Sequence, residues 1–304
     1  MVTVQQVSAN HLSFRVAMAG AGERLVLCLH GFPESALSWR YQMAPLAQAG
    51  YRVWAPDLRG YAGTTRPAGL DAYQIDTLLN DISGLLDAAQ VKQAIVVGHD
   101  WGGILAWYYA MRYSHRVEAL IILNAPHPAC FERELCHWRQ ARRSWYAGVF
   151  QIPRLPELIL TAGRGYAIGK IFERMTAHRD AIPADIVSLY RQQACEPGAL
   201  TAMITYYRAA IRGGGVARQR RHGYGPITIP TLVIWGLQDH ALVKQNLDGL
   251  EAWAQDVSII TLDDAGHFVH QDRPEQVTQE ILQWLKNRVD LSCGTSDMIL
   301  RESR

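Results

Sequence analysis

At 304 residues, 49% of them hydrophobic, the chain is long enough to bury a large core, as one domain carrying an insertion or as two. A formal net charge of +2 gives no reason to expect a nucleic-acid partner, and no stretch is long and apolar enough to span a bilayer. Five cysteines, an odd number with no C-x-x-C pair, argue against a disulfide scaffold and fit reduced thiols in a cytoplasm.

The amino-terminal 20 residues lack the basic segment and continuous apolar run of a signal peptide, so a cytoplasmic protein is expected. Short apolar runs predict strands over 12–18, 25–29, 51–55, 94–97 and 119–123, with helices near 39–49, 75–89 and 102–113 between them. This alternation implies an α/β protein whose mainly parallel sheet is covered by helices on both faces. From about 129 to 211 the pattern turns helical, rich in aromatic residues and arginine, until an apolar run at 231–235 resumes the sheet. The glycine-rich segments 213–215 and 223–226 read as a flexible exit from that insertion, and the basic cluster at 218–222 as a solvated loop. A strand over 257–262 and a helix over 274–288 close the chain, followed by a tail with no assignable role. The expected organisation is a core of residues 1–126 and 226–290, a helical cap of 127–225 and a tail of 291–304.

The most informative motif is Gly98-His99-Asp100-Trp101-Gly102. It has the G-x-S-x-G frame of a nucleophile elbow, with aspartate at the apex. An apolar strand precedes it and an apolar helix follows, the context that lifts the apex side chain clear of a sheet. Asp239 lies just beyond the predicted strand 231–235 and His267 just beyond the last, 257–262, and loops at the carboxyl ends of parallel strands gather along one edge. Asp100, Asp239 and His267 therefore form a candidate triad.

A serine that attacked a saturated carbon would leave an ether that water cannot readily cleave. An aspartate leaves an ester whose carbonyl can be hydrolysed. In that second step His267, oriented by Asp239, would take a proton from the attacking water. The backbone N–H groups of Trp101 and of Phe32, in the loop His30-Gly31-Phe32-Pro33, are the natural donors to the resulting oxyanion.

Together with the elbow, His30-Gly31-Phe32-Pro33-Glu34-Ser35, Asp57-Leu58-Arg59-Gly60-Tyr61 and Asn124-Ala125-Pro126-His127-Pro128 resemble the epoxide hydrolases of the α/β-hydrolase fold. The resemblance runs over most of the chain, from about residue 4 to 289, and continues through Ser144-Trp145-Tyr146 and Tyr206-Tyr207-Arg208 in the insertion. It implies that two cap tyrosines, Tyr146 and Tyr207 by motif position, donate hydrogen bonds to the epoxide oxygen. Ring opening itself asks for such donors, because an alkoxide is a poor leaving group unless an acid stabilises or protonates it. Tyr206 is the competitor of Tyr207, since adjacent helical residues cannot face the same way. Ala62 and Ala209 depart from residues frequent in the family and bear only on loop geometry and pocket shape.

The resemblance implies an apolar epoxide and water as substrates, with no cofactor and no metal. The nearest rival is a haloalkane or haloacid dehalogenase, which shares the aspartate nucleophile; Phe32 offers no side-chain donor for a halide. An inactive fold used as a ligand receptor is a reading of another class. A metal site built from Asp263, Asp264, His267, His270 and Asp272 lacks the spacing of a helical zinc motif. The sequence leaves monomer and homo-oligomer both open.

Overall fold

The computed structural model describes residues 1–290; the expected tail and Cys293 lie outside the described residues. Eight strands form one sheet: β1 (Thr3–Ala9), β2 (Leu12–Ala19), β3 (Leu25–Leu29), β4 (Arg52–Pro56), β5 (Ala94–His99), β6 (Val117–Leu123), β7 (Thr231–Gly236) and β8 (Val257–Leu262). Their spatial order is β1-β2-β4-β3-β5-β6-β7-β8, antiparallel across the first two pairings and parallel from β4 onward. Strand β1 escapes a search for apolar runs: it is a mostly exposed edge strand with the sequence TVQQVSA, held by pairing with β2 rather than by burial.

Strands β3, β5 and β7 are buried along their whole length, because helices cover both faces. The two-residue period of a strand then splits β3 between two cores. Val26 and Cys28 meet α1 (Arg40–Gln48) through Met43 and Leu46, while Leu25, Leu27 and Leu29 share the opposite core with Leu78 and Ile82 of α2 (Ile75–Ala88) and with Leu105 and Trp107 of α3 (Trp101–Arg112).

Between β6 and β7 lie seven helical segments: α4 (Pro128–Leu135), α5 (Trp138–Arg143), α6 (Trp145–Val149), α7 (Leu155–Met175), which is broken by non-helical backbone from Ala162 to Gly165, α8 (Ala184–Cys195), α9 (Ala199–Arg212) and α10 (Gly215–His222). Their apolar residues, Phe172, Tyr190 and Met203 among them, continue the core of α2 and α3. Helix α10 corrects the expected solvated loop at 218–222. Its cations find carboxylates on neighbouring elements, Arg218 with Asp76 at 3.5 Å and Arg220 with Glu132 at 3.3 Å. After β8 a short α11 (Val269–Asp272) and α12 (Pro274–Leu285) return to the α1 face, where Val277 and Ile281 pack. The helix expected over 274–288 stops at Leu285 and passes into a π-helical turn, Lys286–Asp290. Among the described residues no helix is long and apolar enough to cross a membrane.

Candidate active site

Strand β5 runs between β3 and β6, with Gly98 opposite Leu29 on one side and Ile122 on the other, and gives way to α3 at a single residue, Asp100. Asp100 holds φ 47° and ψ −118°, a conformation that costs on the order of 1–3 kcal/mol for a residue with a Cβ and persists where the surroundings impose it. They do so through close backbone approach. A Cβ on Gly102 would lie 2.1 Å from the Leu29 carbonyl oxygen, and one on Gly31 2.4 Å from the Asp100 Cβ. The helix and the loop after β3 thus press on the elbow from both sides.

The Phe32 N–H donates to Asp100 Oδ1 at 2.8 Å. Trp101 is the first residue of α3, so its N–H has no acceptor within the helix and sits at the positive end of the helix dipole. The other carboxylate oxygen, Oδ2, lies 3.4 Å from His267 Nε2, and His267 Nδ1 is 2.8 Å from Asp239 Oδ2. Asp239 follows β7 and His267 follows β8. Both strands run parallel to β5, so three residues far apart in the sequence meet at one sheet edge.

Electrostatics couple the three. Burial opposes a charge on His267, but Asp239 and Asp100 outweigh it and hold its pKa well above the usual histidine range. Burial likewise opposes ionisation of Asp239, and His267 with Asn124 overcomes it, keeping Asp239 below the usual carboxylate range. Asp239 Oδ1 accepts the N–H groups of Ala241 at 2.7 Å and Leu242 at 2.9 Å, and Oδ2 accepts Asn124 Nδ2 at 2.7 Å.

Beneath the triad is a fully buried network that sequence reasoning missed. His99 Nδ1 lies 2.8 Å from Glu34 Oε2 and its Nε2 2.9 Å from the His267 carbonyl oxygen. Glu34 also accepts from the Gly31 N–H at 3.1 Å and from Gln271 Nε2 at 2.6 Å. Burial works against the Glu34 charge, yet the His99 ring beside it, with His270 and His30, brings its pKa down to about 2. Glu34, His99 and Asn124 stood inside the quoted motifs. Only spacing to a partner distant in sequence, invisible in one chain, could have singled them out.

The insertion covers this edge. A cavity of about 450 Å³ is lined by Asp100, Trp101, Ile104, Phe131, Tyr146 and Tyr207, among other largely apolar residues. Tyr146 and Tyr207 meet edge to face with ring centroids 5.9 Å apart, and Phe32 packs edge-on against Tyr207 at 5.6 Å. Burial, reinforced by the Asp100 charge, pushes the pKa of both phenols up, so each retains its proton near neutral pH. Tyr206 points away from the cavity, its hydroxyl donating to the Arg59 carbonyl at 2.9 Å. The acids of the sequence-derived metal candidate do not converge: Asp272 accepts the backbone N–H groups of Ala177 and Gly266. His270 stacks on Trp39 with centroids 4.6 Å apart.

The sheet order, the strained elbow after β5 and the acid and histidine after β7 and β8 define an α/β hydrolase, with a carboxylate as the apex residue. The sequence profile of the α/β hydrolase fold matches residues 24–274. The AB hydrolase superfamily protein YfhM of Bacillus subtilis (strain 168) is 38% identical over 94% of this chain and 99% of its own length. Epoxide hydrolase 3 of Xenopus tropicalis is 34% identical over 89% of this chain and 74% of its own. A crystal structure of a mutant epoxide hydrolase from Bacillus megaterium superposes with a TM-score of 0.85 at 30% identity, covering 93% of this chain and 100% of that one. The present chain belongs to the epoxide hydrolases of the α/β-hydrolase fold family.

Proposed function

We propose that this protein hydrolyses apolar epoxides to vicinal diols through a covalent ester on Asp100, with residues 127–225 acting as a cap over the core of 1–126 and 226–290. The observation that carries this reading is one cavity with the Asp100 carboxylate on its floor and two protonated phenols, Tyr146 and Tyr207, on its walls. Asp100 Oδ1 is engaged by the Phe32 N–H, which leaves Oδ2 as the attacking oxygen.

In the first step Oδ2 bonds to an epoxide carbon as the carbon–oxygen bond of the ring breaks. The electron pair passes to the ring oxygen, which takes hydrogen bonds and a proton from the tyrosines. This step consumes the charge on Asp100. One of the two carboxylates that hold a proton on His267 is thereby neutralised, so its pKa falls once the ester forms; its proton passes to the tyrosinate left by ring opening, and the neutral imidazole becomes available as a base.

In the second step neutral His267 removes a proton from water, which adds to the Asp100 carbonyl carbon. Negative charge develops on Oδ1, where the N–H groups of Phe32 and Trp101 meet it. Asp239 balances the imidazolium. Collapse breaks the ester bond, the hydroxyl proton of the intermediate goes to the departing diol oxygen, Asp100 is again a carboxylate, and His267 keeps the proton taken from water as its resting imidazolium. One oxygen of the water stays in Asp100. No cofactor, metal or nucleic acid takes part in this reading, and its place of work is the cytoplasm.

The test is His267→Gln mixed with a terminal aryl or alkyl epoxide. The intact-protein mass rises by the mass of the epoxide, and the adduct maps to Asp100. No adduct across a panel of such epoxides, or a hydrolytic halide release by the unaltered protein that exceeds its epoxide turnover, overturns the reading.

A further inference from the structure

Asn124 directly follows β6, is fully buried and takes φ 38°. Asparagine is one of the few residues with a Cβ that enters this region at modest cost. Its amide is committed on both sides. Oδ1 accepts the Gly236 N–H at 2.8 Å, while Nδ2 donates to the Gly236 carbonyl at 3.3 Å and to Asp239 Oδ2 at 2.7 Å. Because the Gly236 N–H can only donate, it fixes which end of the amide faces it, and the N–H₂ end must face the carboxylate.

Asp239 Oδ2 is also the oxygen that His267 Nδ1 addresses, at 2.8 Å. The other charged and titratable groups around this pair act elsewhere. Asp100 faces Nε2, the His99 ring lies 5.0 Å from the His267 ring, Tyr146 approaches from the cavity, and Arg143 donates to the Asp239 carbonyl at 2.5 Å rather than to its carboxylate.

We propose that Asn124 is a positioning residue for the hydrolytic half-reaction: its amide aims Asp239 Oδ2 at His267 Nδ1 and keeps that carboxylate an anion while the imidazolium forms. The proposal rests on the reading above, in which His267 is the base of the second step. Ring opening uses Asp100 and the tyrosines and requires no new charge on His267. Ester hydrolysis does require it, and a carboxylate that rotates or takes the Nδ1 proton no longer balances the imidazolium. Loss of Asn124 therefore burdens the second step and spares the first.

Two variants separate this role from loop shaping. Asn124→Gly keeps the positive φ and removes the donor. Asn124→Asp keeps the shape and the acceptor for the Gly236 N–H while replacing the donor to Asp239 by an anion. Quenched single-turnover mass spectrometry with an apolar epoxide reads formation and decay of the Asp100 ester separately.

For Asn124→Gly, formation stays within about threefold of the unaltered protein and decay slows roughly 10- to 100-fold, the span of one hydrogen bond to a charged group. For Asn124→Asp, decay slows and its acid limb moves to higher pH, because a second carboxylate beside Asp239 holds the proton on His267 more firmly. A folded Asn124→Gly protein whose ester decays at the original rate, or in which both steps slow equally, overturns the proposal. If Asn124→Gly does not fold, an unshifted acid limb in Asn124→Asp overturns it instead. Absence of any ester in both the unaltered protein and His267→Gln indicts the underlying mechanism rather than Asn124.

Discussion

The floor and the walls of the cavity are held by different forces. At the strand ends each side chain is fixed by directed hydrogen bonds: Asp239 accepts two backbone N–H groups as well as Asn124, and Asp100 is met by the Phe32 N–H. Across the cavity, Tyr146 and Tyr207 sit among the rings of Phe32, Phe150 and Trp101, with centroids 5.0 to 5.6 Å apart. Hydrogen bonds fix where charge sits, whereas ring packing mainly fixes volume and tolerates small shifts. In the proposed mechanism the nucleophile and the base belong to the rigid floor, while the walls combine the two donors to the ring oxygen with the space for a particular epoxide.

Substitutions on each side sharpen this contrast. The largest effect is expected on the floor: Asp100→Ala lowers steady-state diol formation by at least ~10⁴-fold, because the two steps share one nucleophile. Substantial residual turnover would mean that the floor is not where the chemistry begins. On the walls, Tyr146→Phe combined with Tyr207→Phe slows ester formation by roughly 10²–10⁴-fold while decay of the ester keeps its rate. Equal slowing of both steps in stopped-flow traces would erase the distinction between floor and walls.

Below the floor, Glu34→Gln tests the support. A pKa brought from 4.5 to about 2 corresponds to roughly 3 kcal/mol of stability. The folded-state value is depressed, so this contribution is present above the ordinary carboxylate range and is lost as pH falls through about 2. Glu34→Gln should therefore lower the unfolding free energy at pH 7 by about 2–3 kcal/mol in urea titrations, with the deficit shrinking toward acid pH. The smallest effect is expected for Tyr206→Phe, which deletes one buried hydrogen bond to Arg59 worth about 1 kcal/mol and leaves ester formation unchanged. A kinetic defect there as large as that of Tyr207→Phe would show that helix α9 does not sort its two adjacent tyrosines as described.

Much of the floor was legible in the sequence, for a physical reason. Buried parallel strands are short continuous apolar runs, and the residues that follow them share one edge, so Asp100, Asp239 and His267 could be associated before any fold was known. Strand β1 was not legible, since a polar edge strand carries no burial pattern. Helix α10 was hidden because its cations and flanking glycines read as loop, while its contacts come from Asp76 and Glu132, far away in sequence. Asn124 and Glu34 were visible as letters but silent as roles. A buried polar residue acts through partners that only the fold supplies.

Phe32 belongs to both sides of the cavity at once. Its main chain polarises the Asp100 carboxylate, and its ring stands edge-on to Tyr207 and Phe150. The donor and the ring share one Cα, so they move together. In the proposed mechanism, a bulky guest that wedges the aromatic wall outward pulls on the same residue whose N–H meets the oxyanion, so a poor fit is expected to slow release of the diol as well as to weaken binding.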